Sequence, residues 1–145
     1  MSGATVKDIP AQKFVATLAA HLKKSGKYEL PAMHDLIKTG CHKELPPQDA
    51  DWYYLRLAAV VRKIYLNGGM GVNCLAHAFG GKYWASMARK HHGKAASGNI
   101  RFAVQALEAA KLIGKKEGRT GRFITAAGRR ELDVIATTMA KAARA

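Results

Sequence analysis

Cysteines, acidic side chains and long apolar runs are all scarce in this chain, and each shortage excludes a class of protein. The 145 residues include only two cysteines, Cys41 and Cys74, which excludes a disulfide-stapled scaffold and leads us to expect the cytosol or the nucleus. No apolar stretch approaches the roughly 20 residues that a membrane-spanning helix needs, so we expect no membrane partner. Residues 1–8 lack the apolar core of a secretory signal, so we expect no export.

The shortage of carboxylates also limits the chemistry that the chain can support. Asp and Glu number only 10, and neither a nucleophile–His signature with family context nor a paired-carboxylate motif is visible. Cys41-His42 and Cys74-x-x-His77 contain metal-ligating side chains, but their spacing is not that of a zinc finger. We therefore expect no enzymatic activity, no metal, no cofactor and no small-molecule substrate, and we expect Cys74 to be a small buried apolar group.

Positive charge is what the chain has in excess. Lys and Arg number 24, which gives a net charge of +14 and a pI of about 10.1. A folded chain of this charge repels itself unless a polyanion neutralises it. Residues 1–72 contain 10 basic and 6 acidic side chains, a net charge of +4, whereas residues 73–145 contain 14 and 4, a net charge of +10. The charge predicts nucleic-acid binding mainly through the second half of the chain, with a merely basic, soluble surface as the alternative.

The pattern of apolar residues predicts mostly helices. Apolar residues recur at helical spacing from Ala11 to Leu22, in a helix that we expect Asp8 to cap and Ser25-Gly26 to end. A short helical stretch is expected to end at Ile37. The run from Asp51 to Leu66 has no Gly or Pro and is apolar on most sides, which is typical of a central, buried helix.

The second half of the chain predicts two more helices around a β-hairpin. We expect Ser97 to cap one helix and Thr125 to cap the other. Between them, Leu112-Ile113 and Phe123-Ile124 flank a glycine-containing turn, which is typical of a hairpin. The sequence therefore predicts a mainly α, winged-helix-like domain around a central helix with one β-hairpin, a single domain over residues 1–145 with a frayed C-terminal tail.

The central helix carries the first group of candidate binding residues. Trp52, Arg56 and Lys63 are four and seven residues apart and share one stripe of the helix, whereas Arg62 points elsewhere as a second contact. An indole beside two cations suits a stacked base with its phosphates. The alternative is that Trp52 packs in the core and Arg56 pairs with a carboxylate.

Further candidate cations lie in three places in the second half of the chain. Arg101, on the outer side of its helix, either binds phosphate or pairs with Glu108. The tip of the predicted hairpin sets four cations against one carboxylate: Lys115, Lys116, Arg119 and Arg122. We expect the stretch 82–94 to be a loop or a weak helix. Its aromatic residues lie among four more candidate cations: Lys82, Arg89, Lys90 and Lys94. The glycine-rich run Asn67–Gly71 is expected to end the central helix, since glycine adopts positive φ without strain.

Short motifs occur in order along nearly the whole chain. They include Thr5-Val6-Lys7-Asp8, Trp52-Tyr53-Tyr54-x-Arg56, Tyr65-Leu66-x-Gly68-Gly69-x-Gly71-Val72 and Gln105-Ala106-Leu107-Glu108. In these motifs the chain resembles the eukaryotic and archaeal small-subunit ribosomal protein nineteen-e family. The resemblance implies a winged-helix domain that binds small-subunit rRNA in the head of the subunit, beside neighbouring ribosomal proteins, and is needed for subunit assembly and pre-rRNA maturation. It also implies cytosolic ribosomes, with passage through the nucleus and nucleolus during assembly.

The same resemblance implies particular RNA contacts and marks one departure. RNA-facing positions of the family match Trp52, Arg56, Arg62 and Arg101, together with the basic hairpin. Between Gly81 and Ser97 the family usually has a basic loop with Gly, Pro and a His-aromatic pair, whereas this chain keeps the charge without proline. A DNA-binding winged-helix transcriptional regulator, which shares the fold and charge, is the alternative, and an RNA-processing enzyme is a third interpretation.

Overall fold

Helices and short hairpins alternate along the chain in the computed structural model, which describes residues 3–32, 34–84 and 86–144. A short 3-10 helix, Val6–Asp8, comes first. The α-helices are α1 (Ala11–Ser25), α2 (Trp52–Leu66), α3 (Val72–Ala78), α4 (Ser97–Ala109) and α5 (Ala126–Arg144). The strands are β1 (Gly81–Tyr83), β2 (His91–Gly93), β3 (Ile113–Lys116) and β4 (Arg119–Ile124). The prediction of a mainly α fold is confirmed.

The end of helix α1 is the one that its sequence predicts, but its start is not. Gly26 adopts φ +63° and its N–H donates to the Lys23 carbonyl at 3.3 Å, which ends the helix. The predicted Asp8 cap is wrong, because α1 starts at Ala11 behind Pro10. The Asp8 carboxylate instead accepts hydrogen bonds from the Thr5 backbone N–H at 2.7 Å and the Thr5 hydroxyl at 3.0 Å, closing the 3-10 helix.

Helix α2 is the centre of the core, as its composition predicts. Its residues Tyr53, Leu57, Val60, Val61 and Ile64 are fully buried. Helix α1 packs on one side of it, and α4 and β4 contact it as well. Because three other elements pack against this helix, its backbone is a fixed support for the polar side chains at its surface.

The turn after α2 docks the β3–β4 hairpin onto the helices. Met70 and Arg122 form an isolated antiparallel bridge, in which the Gly69 N–H donates to the Arg122 carbonyl at 2.9 Å and the Arg122 N–H donates to the Met70 carbonyl at 3.1 Å. Gly69 has φ +82° and Gly121 has φ +87°, and a Cβ on Gly121 would overlap the Gly69 backbone. The glycines after α2 therefore also allow the β3–β4 hairpin to pack closely against this turn. The order α2, bridge, α3, α4, β3, β4 is that of a winged helix.

The predicted hairpin and the cap of the last helix are confirmed. Strands β3 and β4 pair Ile113 with Ile124 and Lys116 with Arg119. The Gly128 N–H donates to the Thr125 hydroxyl oxygen at 3.0 Å at the start of α5. The predicted Ser97 cap is wrong, because α4 already includes Ser97 and Ala96 takes the cap position without a side-chain hydrogen bond.

Two stretches differ from their predicted structure. The stretch 82–94 is expected to be a loop or a weak helix, but strands β1 and β2 pair antiparallel here, where Gly80 and Gly93 lie so close that no side chain fits between them. The helical stretch expected up to Ile37 is a series of turns in the described residues, and Met33 lies outside them. Helix α5 extends to Arg144 and Ala145 lies outside the described residues, so fraying of the C-terminal tail stays a prediction.

Candidate nucleic-acid interface

Trp52, the first predicted contact, packs into the core. Its indole is 7% exposed and meets the Tyr53 ring edge-on, with the ring centroids 5.9 Å apart. The indole N–H donates to the His34 carbonyl at 3.2 Å, which ties α2 to the turns before it. A buried indole offers no open face to a base, so the core-packing interpretation of Trp52 matches the structure.

Arg56 is a half-buried cation on the same stripe of α2. Its guanidinium carbon lies 4.6 Å from the centroid of the Phe79 ring, in a cation–π contact. Burial lowers the pKa of Arg56, but an arginine this basic stays charged. None of the ion pairs among the described residues includes Arg56, so the predicted pairing with a carboxylate is not what the structure shows. Arg56 borders an apolar groove of about 730 Å³ between α1, α2 and residues 39–47.

Arg62 and Lys63 are half-buried near the end of α2. The Arg62 Nε is buried and has no hydrogen-bond partner among the described residues. A buried donor without an acceptor is costly, so its position favours an acceptor from outside the chain. Lys63 lies on the same stripe as Arg56, as predicted, and Arg62 projects in another direction.

Glu108, the carboxylate suggested as a partner for Arg101, pairs with Arg122 instead. Arg101 is exposed at the start of α4 and does not pair with Glu108. The Glu108 carboxylate instead accepts from the Arg122 Nε at 2.8 Å, across the junction of α4 and β4. The predicted alternative for Arg101 is therefore wrong, and Arg122, a predicted contact of the hairpin, has its Nε engaged inside the chain.

The tip of the β3–β4 hairpin carries exposed cations. Lys115, Lys116 and Arg119 are exposed around a two-residue turn in which Gly118 has φ +69°. The Lys116 ammonium lies 5.0 Å from the centroid of the Phe123 ring, which steadies one of these long side chains. Against these three cations stands the exposed Glu117. The tip thus presents a positively charged surface, with three of the four predicted cations exposed.

The cations of the divergent stretch lie on and around the β1–β2 hairpin: Lys82 on β1, Arg89 and Lys90 between the strands, and Lys94 directly after β2. All four predicted residues of this stretch are exposed: Lys82, Arg89, Lys90 and Lys94. The Lys94 ammonium donates to the Asn73 side-chain oxygen at 3.4 Å, and the Lys90 ammonium lies 4.3 Å from the centroid of the Trp84 ring. Trp84, 66% exposed, is outside the predicted set. Its position in a stretch that contains cations and no acidic residue is the sequence feature that could have identified Trp84 as a candidate.

The described residues contain no cluster of three or more His, Cys, Asp and Glu side chains that could hold a metal ion. Cys41 and Cys74 are both exposed and free, so the predicted burial of Cys74 is wrong. The exposure follows from its position on the outer side of the short helix α3, whose inner side buries Leu75 and Ala76. In the described part of the chain, no helix combines the length and the apolar character that crossing a membrane requires.

The helix order, the docked hairpin and the excess of unpaired cations define a basic winged-helix protein. The family model described as ribosomal protein S19e matches residues 5–142. Small ribosomal subunit protein eS19A of Schizosaccharomyces pombe is 44% identical over 139 residues, which is 96% of each chain. The eS19 proteins of Dictyostelium discoideum and Myxine glutinosa are each 42% identical, over 91% and 94% of this chain and 89% and 93% of their own. The chain belongs to the ribosomal protein S19e family, which confirms the resemblance of its motifs.

Proposed function

We propose that this chain is a structural, non-catalytic constituent of the small ribosomal subunit that binds its rRNA. One observation carries the proposal of RNA binding. Among the described Lys and Arg side chains, only Lys23 and Arg122 lie in ion pairs with carboxylates, although the chain has a net charge of +14. A folded chain that leaves its cations unpaired is suited to a polyphosphate partner. The names of the relatives, proteins of the small ribosomal subunit, support rRNA of that subunit as the partner.

The mechanism is charge neutralisation on a rigid support. Each Lys or Arg that meets a phosphate releases condensed counterions, which favours binding at low salt. The packing of α2 against α1 and α4 positions the helix backbones that carry Arg56, Arg62 and Arg101 before any RNA arrives. Little conformational entropy is then lost by the protein on binding. The chain thereby acts as a template around which rRNA and neighbouring ribosomal proteins assemble, and maturation of the rRNA precursor depends on that assembly.

The proposed contact residues fall into two groups. Direct phosphate contacts come from cations that form no ion pair with a carboxylate among the described residues. These are Arg56, Arg62, Lys63, Lys82, Arg89, Lys90, Lys94, Arg101, Lys115, Lys116 and Arg119. Trp52 and Arg122 support them, since Trp52 anchors the start of α2 to residue 34 and Arg122 joins the hairpin to α4. A positioning role for these two residues agrees with their packing better than direct contact does.

Sedimentation of cell lysate tests the proposal. A tagged full-length chain should sediment with small subunits and complete ribosomes, and a chain that stays at the top of the gradient would contradict a ribosomal role. The same gradient separates this proposal from a DNA-binding regulator, which does not follow ribosomal particles.

Charge-reversed variants test the surface itself. Arg62→Glu and Arg101→Glu should each lower the fraction of chain in small subunits several-fold, because a carboxylate repels the phosphate that the arginine attracts. Arg101 is exposed, so its variant keeps the fold even if Arg62→Glu loses stability, and circular dichroism checks both. Lys13→Glu, an exposed charge reversal on α1 outside the proposed set, is the matched control. Normal incorporation of Arg101→Glu and Arg62→Glu would show that the assigned surface is wrong.

A further inference from the structure

The register of the β1–β2 hairpin places Trp84 opposite Lys90. The strands pair Gly81 with Gly93, Lys82 with His92 and Tyr83 with His91. One further step of the same register brings Trp84 across from Lys90, and the Lys90 ammonium indeed lies 4.3 Å from the centroid of the Trp84 ring. Cross-strand neighbours of this kind hold each other in place. The indole is therefore positioned by the hairpin.

Trp84 is the large aromatic side chain that the described residues expose most. It is 66% exposed, and Met87 in the turn beside it is fully exposed. The ammonium of Lys90 lies over the indole ring, and the high exposure of Trp84 leaves much of the ring surface open to a partner. Large apolar side chains that a fold holds exposed are suited to an interaction site.

The charge around Trp84 selects the chemistry of that partner. No acidic residue occurs from residue 80 to residue 94, and Lys82, Arg89 and Lys94 add their exposed cations to that of Lys90. An aromatic face among cations is the arrangement with which proteins hold single-stranded nucleic acid, since bases stack on the ring while phosphates meet the cations. A duplex keeps its bases stacked internally and offers no such face.

We propose that Trp84, backed by Lys90, is a stacking platform for an unpaired RNA base, with Arg89 and Lys90 meeting the neighbouring phosphates. The proposal rests on the proposed function, in that it takes RNA to be the partner of this chain. It adds a site of a different kind, which recognises single-stranded RNA rather than the shape of a duplex. It also gives a role to the stretch in which the chain departs from the usual pattern of its family.

The chain contains two tryptophans in opposite environments, which makes the test direct. Trp52 is 7% exposed and Trp84 is 66% exposed, so long-wavelength indole emission comes from Trp84 and short-wavelength emission from Trp52. The full chain is titrated at low salt with a single-stranded oligoadenylate and, separately, with a fully paired RNA hairpin of equal length. Stacking on Trp84 should quench the long-wavelength emission with the single strand and leave the Trp52 emission unchanged.

Substitution of Trp84 separates stacking from charge. Trp84→Leu should weaken binding of the single strand about tenfold, or about 1.4 kcal/mol, and leave the affinity for the duplex unchanged. Trp84→Phe should retain most of the affinity, because a phenyl ring also stacks. Phe102→Leu, at an aromatic residue on α4 that is 38% exposed, is the matched control and should bind both RNAs as the native chain does.

The possible outcomes separate the two proposals. If Trp84→Leu binds both RNAs with native affinity and the emission of the native chain is not quenched, stacking is overturned while RNA binding stands. If the native chain binds neither RNA, the proposed function fails as well. If Trp84→Leu keeps its RNA affinity but is lost from assembled small subunits, Trp84 docks on a neighbouring protein and the base-stacking proposal is wrong.

Discussion

At the scale of single residues, burial decides what each side chain can do. Trp52 and Trp84 are the same residue type in the same basic chain, yet one is 7% exposed and the other 66%. Arg101 and Arg122 are likewise the same type, yet Arg122 is held at 2.8 Å by Glu108 while Arg101 is exposed. The sequence identifies Trp52, Arg101 and Arg122 as candidates, but it does not show which of them other elements bury or pair.

Tyr53 shows a cost of burial that a variant can reveal. Its ring is fully buried against Trp52 and Phe102, and its hydroxyl has no hydrogen-bond partner among the described residues. Burial raises the pKa of Tyr53, so the phenol stays neutral. Tyr53→Phe keeps the ring and removes the unsatisfied hydroxyl, and we expect it to raise the free energy of unfolding by about 1 kcal/mol. Denaturant unfolding of both chains measures the difference, and a clear loss of stability would reveal a partner for the hydroxyl.

At the scale of elements, the length of a pattern decides how well the sequence predicts it. Helix α2 is predicted because its 15 residues repeat a helical signal without Gly or Pro. The β1–β2 hairpin is not predicted, because three-residue strands contain too few positions to show alternation. Its pairing depends on the approach of Gly80 to Gly93 and on His42 beside Gly81, which are contacts between distant parts of the chain.

The docking of the β3–β4 hairpin gives a prediction at this scale. Gly118 and Gly121 both have positive φ, but only Gly121 faces the Gly69 backbone, while nothing lies near Gly118. Gly118→Ala should cost about 1 kcal/mol, the strain of positive φ alone. Gly121→Ala should cost about 3 kcal/mol or more, because the hairpin must also move away from α2. Thermal or denaturant unfolding ranks the two variants, and equal losses would contradict the docking.

At the scale of the whole molecule, the excess of positive charge predicts how the proposed RNA binding depends on salt. Lys and Arg outnumber Asp and Glu by 24 to 10, and in the described part of the chain carboxylates pair with only two of these cations, Lys23 and Arg122. The free energy of RNA binding should therefore depend steeply on salt, since each phosphate contact releases counterions.

The salt dependence can be measured for one cation at a time. We expect the logarithm of the affinity for a structured RNA to fall linearly with the logarithm of the salt concentration. Arg101→Gln should reduce the magnitude of this slope by about 1, the share of a single phosphate contact. Lys13→Gln, an equal loss of charge outside the proposed set, should leave the slope unchanged. An unchanged slope for Arg101→Gln would remove Arg101 from the contact surface.

The sequence by itself determined the mainly helical fold, the β3–β4 hairpin, the excess of cations and the family, because each is visible in local spacing or in ordered motifs. Tertiary structure alone decided which cations stay unpaired, which tryptophan is buried and where the second hairpin forms. The Trp52 bond to His34 spans 18 residues and the Arg122 bond to Glu108 spans 14. Helical periodicity extends over only three or four residues, so contacts at such separations depend on how the elements pack.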